Sequence, residues 1–175
     1  FIPARRFSEL ALPLTVTAVD VDTGELLRFG AGGEDVPLVD ALMASSALPM
    51  FYPAVEINGR RCGDGGLRGV VPLAAAADDA DQVAAVDIGA GFDELAAGPS
   101  PYPSLVRAHN EATGILMAAN TALSLELWRS DPTRPPLLYI RPRVERNATF
   151  RMDRAAAYAA EGYRAAREVL TGGEP

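Results

Sequence analysis

The order of apolar and polar residues along the chain predicts an alternation of short strands and helices. Strands are predicted where β-branched or small apolar residues run between turn residues: 13–22, 25–29, 54–57, 60–64, 82–88 and 137–140. Helices are predicted where apolar residues recur at helical spacing or alanine dominates: 37–45, 72–77, 104–129 and 150–170.

Two turns are specified by local chemistry. Asp22-Thr23-Gly24 joins the first two predicted strands. Asn58-Gly59 joins the third and fourth. A type I′ turn needs a positive φ at both central residues, and Asn-Gly is a pair that adopts it readily. The sequence therefore predicts two β-hairpins within its first 64 residues.

Two further segments have apolar patterns that predict burial. Residues 82–88 hardly alternate, which favours a strand covered on both faces. The long helix at 104–129 carries one broad apolar stripe: Leu105, Ala108, Ala112, Ile115, Ala119, Ala122 and Leu123. Together with the strand–helix alternation, these patterns predict an α/β fold, a three-layer sandwich with a mainly parallel sheet, with neither an internal repeat nor a linker that would divide it.

Composition excludes several classes of function. The chain has 175 residues, 49% of them apolar, and a net charge of −7, so it predicts a globular domain and disfavours a nucleic-acid binder. It contains no lysine, which excludes a Schiff base and a P-loop. One cysteine (Cys62) and one histidine (His109) cannot form a disulfide or a zinc site, so we expect no metal and no cofactor.

Membrane and targeting signals are also missing from the sequence. No apolar run is long enough to cross a bilayer, so we expect no transmembrane segment, and the first residues have no signal-peptide layout. We expect a cytoplasmic protein, but the compartment stays open because any targeting signal would lie upstream of residue 1. The sequence does not begin with Met, which indicates a processed or partial chain.

Most short motifs have a structural interpretation that outweighs the chemical one. Asp22-Thr23-Gly24 matches the aspartic-protease tripeptide, but such an enzyme needs two of these loops and the sequence has one. Gly30-Ala31-Gly32 and Gly89-Ala90-Gly91 lack the third glycine of a dinucleotide fingerprint, so we interpret them as loops. His109 is expected on a helix surface and Cys62 in the core.

Asp64-Gly65-Gly66 is the strongest candidate for chemistry. A carboxylate ends a predicted strand, and two glycines follow that permit a sharp exit and a close approach by another group. Ligands of open α/β sheets bind at the carboxyl ends of strands. Taken alone, the motif is also simple turn chemistry.

The residues around this motif resemble the patatin-like phospholipase family. The resemblance rests on several blocks in order: Ala18–Glu25, Ala44–Val55, Ile57–Gly63, Asp64–Leu67, Val71-Pro72, Val83–Ile88 and, as in bacterial members, Glu161–Ala166. Met50 stands where the family often has Gly, Gly63 where it often has Val, and Val70 where an Asn is common.

The resemblance implies a lipid acyl hydrolase or esterase with a Ser-Asp dyad, in which Asp64 is the general base. The family's nucleophile stands in Gly-x-Ser-x-Gly, a motif that this sequence lacks; Gly98-Pro99-Ser100 lacks the second glycine, and Ser45 and Ser46 lie in a structural block. The resemblance therefore implies that residues 1–175 are the C-terminal part of one hydrolase domain, whose missing N-terminal half would be a partner beside the acyl-ester substrate. The alternative is a non-catalytic interaction module that kept the fold.

Overall fold

The structure is a computed structural model that describes residues 3–78, 80–89, 103–144 and 152–172. It divides into two compact units, Phe1–Ala76 and Ala77–Pro175. The strands are β1 (Thr15–Asp20), β2 (Leu26–Gly30), β3 (Val55–Ile57), β4 (Arg60–Asp64), β5 (Val83–Val86) and β6 (Leu137–Ile140). The helices are α1 (Leu38–Ser45), α2 (Leu73–Ala76), α3 (Ser104–Ser130) and α4 (Ala155–Leu170).

The first unit contains a four-stranded sheet in the order β2-β1-β4-β3. Every pairing in it is antiparallel. Both hairpins predicted from the sequence are confirmed: Asn58 and Gly59 have φ of 52° and 76°, as a type I′ turn requires. The pairing of β1 with β4 joins the two hairpins and brings Ala18 opposite Asp64.

The core of the first unit lies between this sheet and α1. Side chains that alternate along the strands, together with one face of α1, form a buried cluster: Val16, Ala18, Leu27, Phe29, Val36, Ala41, Ala44, Ile57 and Cys62. Cys62 is a buried core residue, as predicted. This packing fixes β1 and β4 beside each other, and so fixes the end of β4.

The second unit contains β5 and β6, which form a parallel pair, and the helices α3 and α4. Asp87 follows β5 and is buried; it accepts hydrogen bonds from the Gly89 N–H (2.8 Å) and from the Tyr139 hydroxyl. Burial and the neighbouring carboxylate raise the pKa of Tyr139 well above its ordinary value. Among the described residues, none of the helices combines the length and the apolar composition that spanning a bilayer requires.

The fold prediction is confirmed in its class and not in its strand direction. The chain is a mixed α/β structure, and the elements lie close to their predicted bounds. A mainly parallel sheet is not confirmed, because β5 and β6 form the one parallel pairing among the described strands. The direction differs because short hairpins connect neighbouring strands, whereas parallel strands need a crossover.

Two predictions of burial are wrong for the described residues. β5 alternates between buried and exposed residues, and Val86 and Ile88 are exposed, although the segment is almost entirely apolar in sequence. The predicted stripe of α3 is exposed as well: Leu105, Ala108, Ala112, Ile115, Ala119, Ala122 and Leu123. The buried residues of α3 lie on its opposite side: Thr121, Leu125 and Trp128.

Candidate functional site

Asp64 is the last residue of β4, where the strand turns into a single 3-10 turn, Gly65–Leu67. Its backbone N–H donates a hydrogen bond to the carbonyl oxygen of Ala47, at 3.1 Å. Because Asp64 lies opposite Ala18 and two residues after Cys62, it is on the α1 face of the sheet. The strand end, its neighbour β1 and the segment after α1 together fix the backbone of this aspartate.

The Asp64 carboxylate is half-buried, and its surroundings disfavour the charged form. Burial raises its pKa above the ordinary value, and the hydrogen bond that Oδ1 accepts from the Gly66 N–H (2.7 Å) opposes this shift. A carboxylate with a raised pKa takes up a proton more readily at neutral pH, which is the property that a general base needs. The structural interpretation is a capping role for the 3-10 turn, and both roles are compatible with this geometry.

Both glycines beside Asp64 have close neighbours: β1 approaches Gly65, and the side chain of Val21, which follows β1, approaches Gly63. A Cβ atom at Gly65 would lie 2.5 Å from the carbonyl oxygen of Thr17 and 2.7 Å from its hydroxyl oxygen. A Cβ atom at Gly63 would lie 2.9 Å from Cγ1 of Val21. The backbone of β1 therefore leaves no room for a side chain at Gly65, and the side chain of Val21 crowds a Cβ atom at Gly63.

The serines nearest to Asp64 along the hydrogen-bonded backbone are Ser45 and Ser46, close to Ala47. The Ser46 hydroxyl donates to the carbonyl oxygens of Leu42 (2.9 Å) and Met43 (3.2 Å). Its proton therefore takes part in hydrogen bonds at the C-terminal end of α1. This arrangement agrees with the structural role that the sequence suggested. Ser100 lies outside the described residues.

The segment between α1 and β3 carries exposed apolar side chains. Met50 has a φ of 73° and Tyr52 follows two residues later; the two side chains are 55% and 63% exposed. A left-handed conformation at a non-glycine residue costs about 1–2 kcal/mol.

The other sequence motifs have structural roles. Asp22-Thr23-Gly24 forms the turn between β1 and β2: the buried Asp20 accepts hydrogen bonds from the N–H groups of Asp22 (2.9 Å) and Thr23 (3.3 Å), and Gly24 has a φ of 75°. His109 is half-buried in α3, where its Nε2 lies 3.5 Å from the Thr113 hydroxyl. Within the described part of the chain, no three histidine, cysteine or acidic side chains are close enough to hold a metal ion.

Two residues of the site are not predicted by sequence reasoning. Thr17 limits the space beside Gly65, and Ala47 accepts the hydrogen bond from the backbone of Asp64. Both contributions come mainly from backbone atoms, which every residue type has, so the identity of the residue does not reveal them. Only the Gly-Asp-Gly-Gly pattern of residues 63–66 indicates that another chain segment lies close by.

Comparison with known proteins is consistent with this geometry. Residues 4–77 match the family model of patatin-like phospholipases. No curated protein sequence matches the chain. The matched segment includes all four strands of the first sheet, α1 and Asp64. The part of the chain that carries the candidate site is therefore similar to the patatin-like phospholipases, a family of lipid hydrolases.

Proposed function

We propose that this chain is part of a lipid acyl hydrolase or esterase in which Asp64 is the general base of a Ser-Asp dyad. The single observation that carries the proposal is the half-buried Asp64 carboxylate at the end of β4, with its backbone bonded to Ala47 and its pKa raised by burial. The similarity of residues 4–77 to patatin-like phospholipases supports the class of reaction.

The proposed reaction is a two-step acyl transfer. The carboxylate of Asp64 accepts the proton of a serine hydroxyl while the serine oxygen attacks the ester carbonyl. The tetrahedral intermediate then collapses to an acyl-enzyme, and the alcohol leaves with a proton from Asp64. Water hydrolyses the acyl-enzyme in the second step, again with Asp64 accepting a proton, and the serine and the carboxylate are restored.

The serine and the oxyanion donors belong to a polypeptide portion that this sequence does not include. No Gly-x-Ser-x-Gly occurs within the 175 residues. The exposed apolar stripe of α3 supports the presence of such a portion, because an apolar helix face of this length is ordinarily covered. Under this proposal residues 1–175 are the C-terminal part of one hydrolase domain, and the cytoplasmic location remains a prediction.

The test is hydrolysis of short-chain nitrophenyl esters by the intact protein and by its Asp64→Asn variant. Asparagine keeps the size of the side chain and the acceptor for the Gly66 N–H but cannot take the serine proton. We expect turnover to fall about 10²- to 10⁴-fold. Asp35→Asn is the matched control, because Asp35 is an exposed carboxylate in an ion pair with Arg6 in the same unit.

Two outcomes would contradict the proposal. Near-normal turnover by Asp64→Asn would remove Asp64 from the mechanism. Failure of the intact protein to react with a fluorophosphonate probe, which labels activated serines, would favour the non-catalytic interaction module instead.

A further inference from the structure

Met50 adopts a strained backbone conformation that a glycine at the same position would adopt without strain. Its φ of 73° lies in the left-handed region, where glycine is free of strain, yet the position carries a large apolar side chain that is 55% exposed. The backbone angle therefore favours glycine over methionine at this position, and burial in the core does not account for the methionine side chain. Backbone strain that the fold does not need is found at functional sites more often than elsewhere.

The turn that holds Met50 is tied to the candidate site. The N–H groups of Phe51 and Tyr52 both donate to the carbonyl oxygen of Leu48, at 3.2 and 3.0 Å, so the turn has a fixed shape. Leu48 directly follows Ala47, whose carbonyl accepts the hydrogen bond from the Asp64 backbone. Because Met50 is three residues from Ala47, their Cα atoms are at most about 11 Å apart.

The segment is chemically suited to contact a hydrocarbon chain. The six residues 48–53 carry no charge, and Tyr52, at 63% exposure, adds a second apolar surface beside Met50. Methionine is unbranched and flexible, and its thioether adapts to apolar partners of varied shape.

We propose that Met50 is a specificity-determining residue that contacts the acyl chain of the ester substrate. This inference rests on the proposed function, since it assigns a binding partner to the turn that follows Ala47, the residue whose carbonyl accepts the Asp64 backbone N–H. Under this inference, Met50 contributes little to the binding of an acetyl group, which has a single carbon beyond its carbonyl, and more to the binding of chains of eight or more carbons.

The experiment compares the intact protein with its Met50→Gly variant on nitrophenyl acetate and nitrophenyl octanoate. Glycine suits the positive φ, so the backbone keeps its conformation while the side chain is removed. We expect the ratio of kcat/KM for octanoate to that for acetate to fall about fivefold or more. The matched control is Leu12→Ala, since Leu12 is 78% exposed in the same unit and lies before β1.

The outcomes separate this inference from the proposed function. Where hydrolysis is measurable, an unchanged ratio in Met50→Gly, or an equal fall in Leu12→Ala, overturns the inference and leaves the hydrolase standing. Where the protein hydrolyses no ester, titration with a fluorescent long-chain fatty acid decides. If Met50→Gly binds the fatty acid more weakly than the parent and Leu12→Ala does not, the acyl-chain contact is supported although the hydrolase proposal fails. If the protein binds no fatty acid, or if the two variants bind it equally well, the acyl-chain contact and the hydrolase proposal are both overturned.

Discussion

Replacing Gly65 by alanine would place a methyl group against the backbone of β1. The new Cβ would lie 2.5 Å from the carbonyl oxygen and 2.8 Å from the carbonyl carbon of Thr17, where ordinary contacts are 3.4 Å or more. Two of the three nearest atoms belong to the backbone, so a change of rotamer cannot relieve the overlap. We expect the free energy of unfolding to fall by about 3 kcal/mol, the upper part of the range for overpacked sites.

Gly69→Ala is the matched control for this substitution. Gly69 lies in the same loop and donates its N–H to the Gly65 carbonyl at 3.2 Å, but a Cβ atom there meets nothing within 4 Å. Its φ does not require glycine either, so we expect a change between zero and a gain of about 1 kcal/mol. The comparison separates the steric effect at Gly65 from the general effect of replacing glycine.

Urea denaturation followed by circular dichroism measures both variants, and thermal unfolding provides a second measurement. A loss of about 3 kcal/mol corresponds to a midpoint lower by roughly 6–12 °C in a domain of this size. A Gly65→Ala variant as stable as Gly69→Ala would refute the reasoning. Recovery of stability in the double variant Thr17→Ala/Gly65→Ala would also refute it, because it would identify the Thr17 side chain as the obstacle.

Further predictions concern the half-buried Asp64 and the buried Asp87. Because the pKa of Asp64 is raised in the folded protein, ionisation of this group lowers stability as the pH rises above the unfolded-state pKa. The free energy of unfolding of Asp64→Asn should therefore equal that of the parent at about pH 3 and exceed it at neutral pH. Urea denaturation at several pH values measures this difference. A variant less stable than the parent at neutral pH would contradict the raised pKa of Asp64. Tyr139→Phe removes a hydrogen bond to the buried Asp87, and we expect a loss of about 1–3 kcal/mol in the same assay, which an unchanged midpoint would contradict.

The sequence predicts the parts of the fold that depend on local chemistry. Asn58-Gly59 and Asp22-Thr23-Gly24 form turns because these residues adopt the required backbone angles whatever surrounds them. The helices α1 and α3 follow from apolar residues at helical spacing behind a proline. The position of Asp64 at a strand end is predicted for the same reason, since its strand is defined by the hairpin that precedes it.

The sequence does not determine what lies beside these elements. Strand direction depends on the pairing of β1 with β4, which are separated by β2, α1 and β3, and no local pattern encodes that choice. The periodicity of α3 identifies an apolar face but not what covers it, which is why Leu105, Ile115 and Leu123 are exposed where burial was predicted. The support of Asp64 by Ala47 is a backbone contact, and residue identity carries little information about such contacts.

The pairing of Ala18 with Asp64 has a consequence for the order of folding. Each hairpin of the first unit closes over a few residues, whereas this pairing closes a loop of about 46 residues, at an entropic cost of about 3 kcal/mol. We expect the hairpins to form early and to associate late, so amide hydrogens at the β1–β4 seam should become protected from exchange after those of the turns. Substitutions that slow the pairing of β1 with β4 would then delay formation of the site around the Asp64 carboxylate, even when every residue in contact with Asp64 is unchanged.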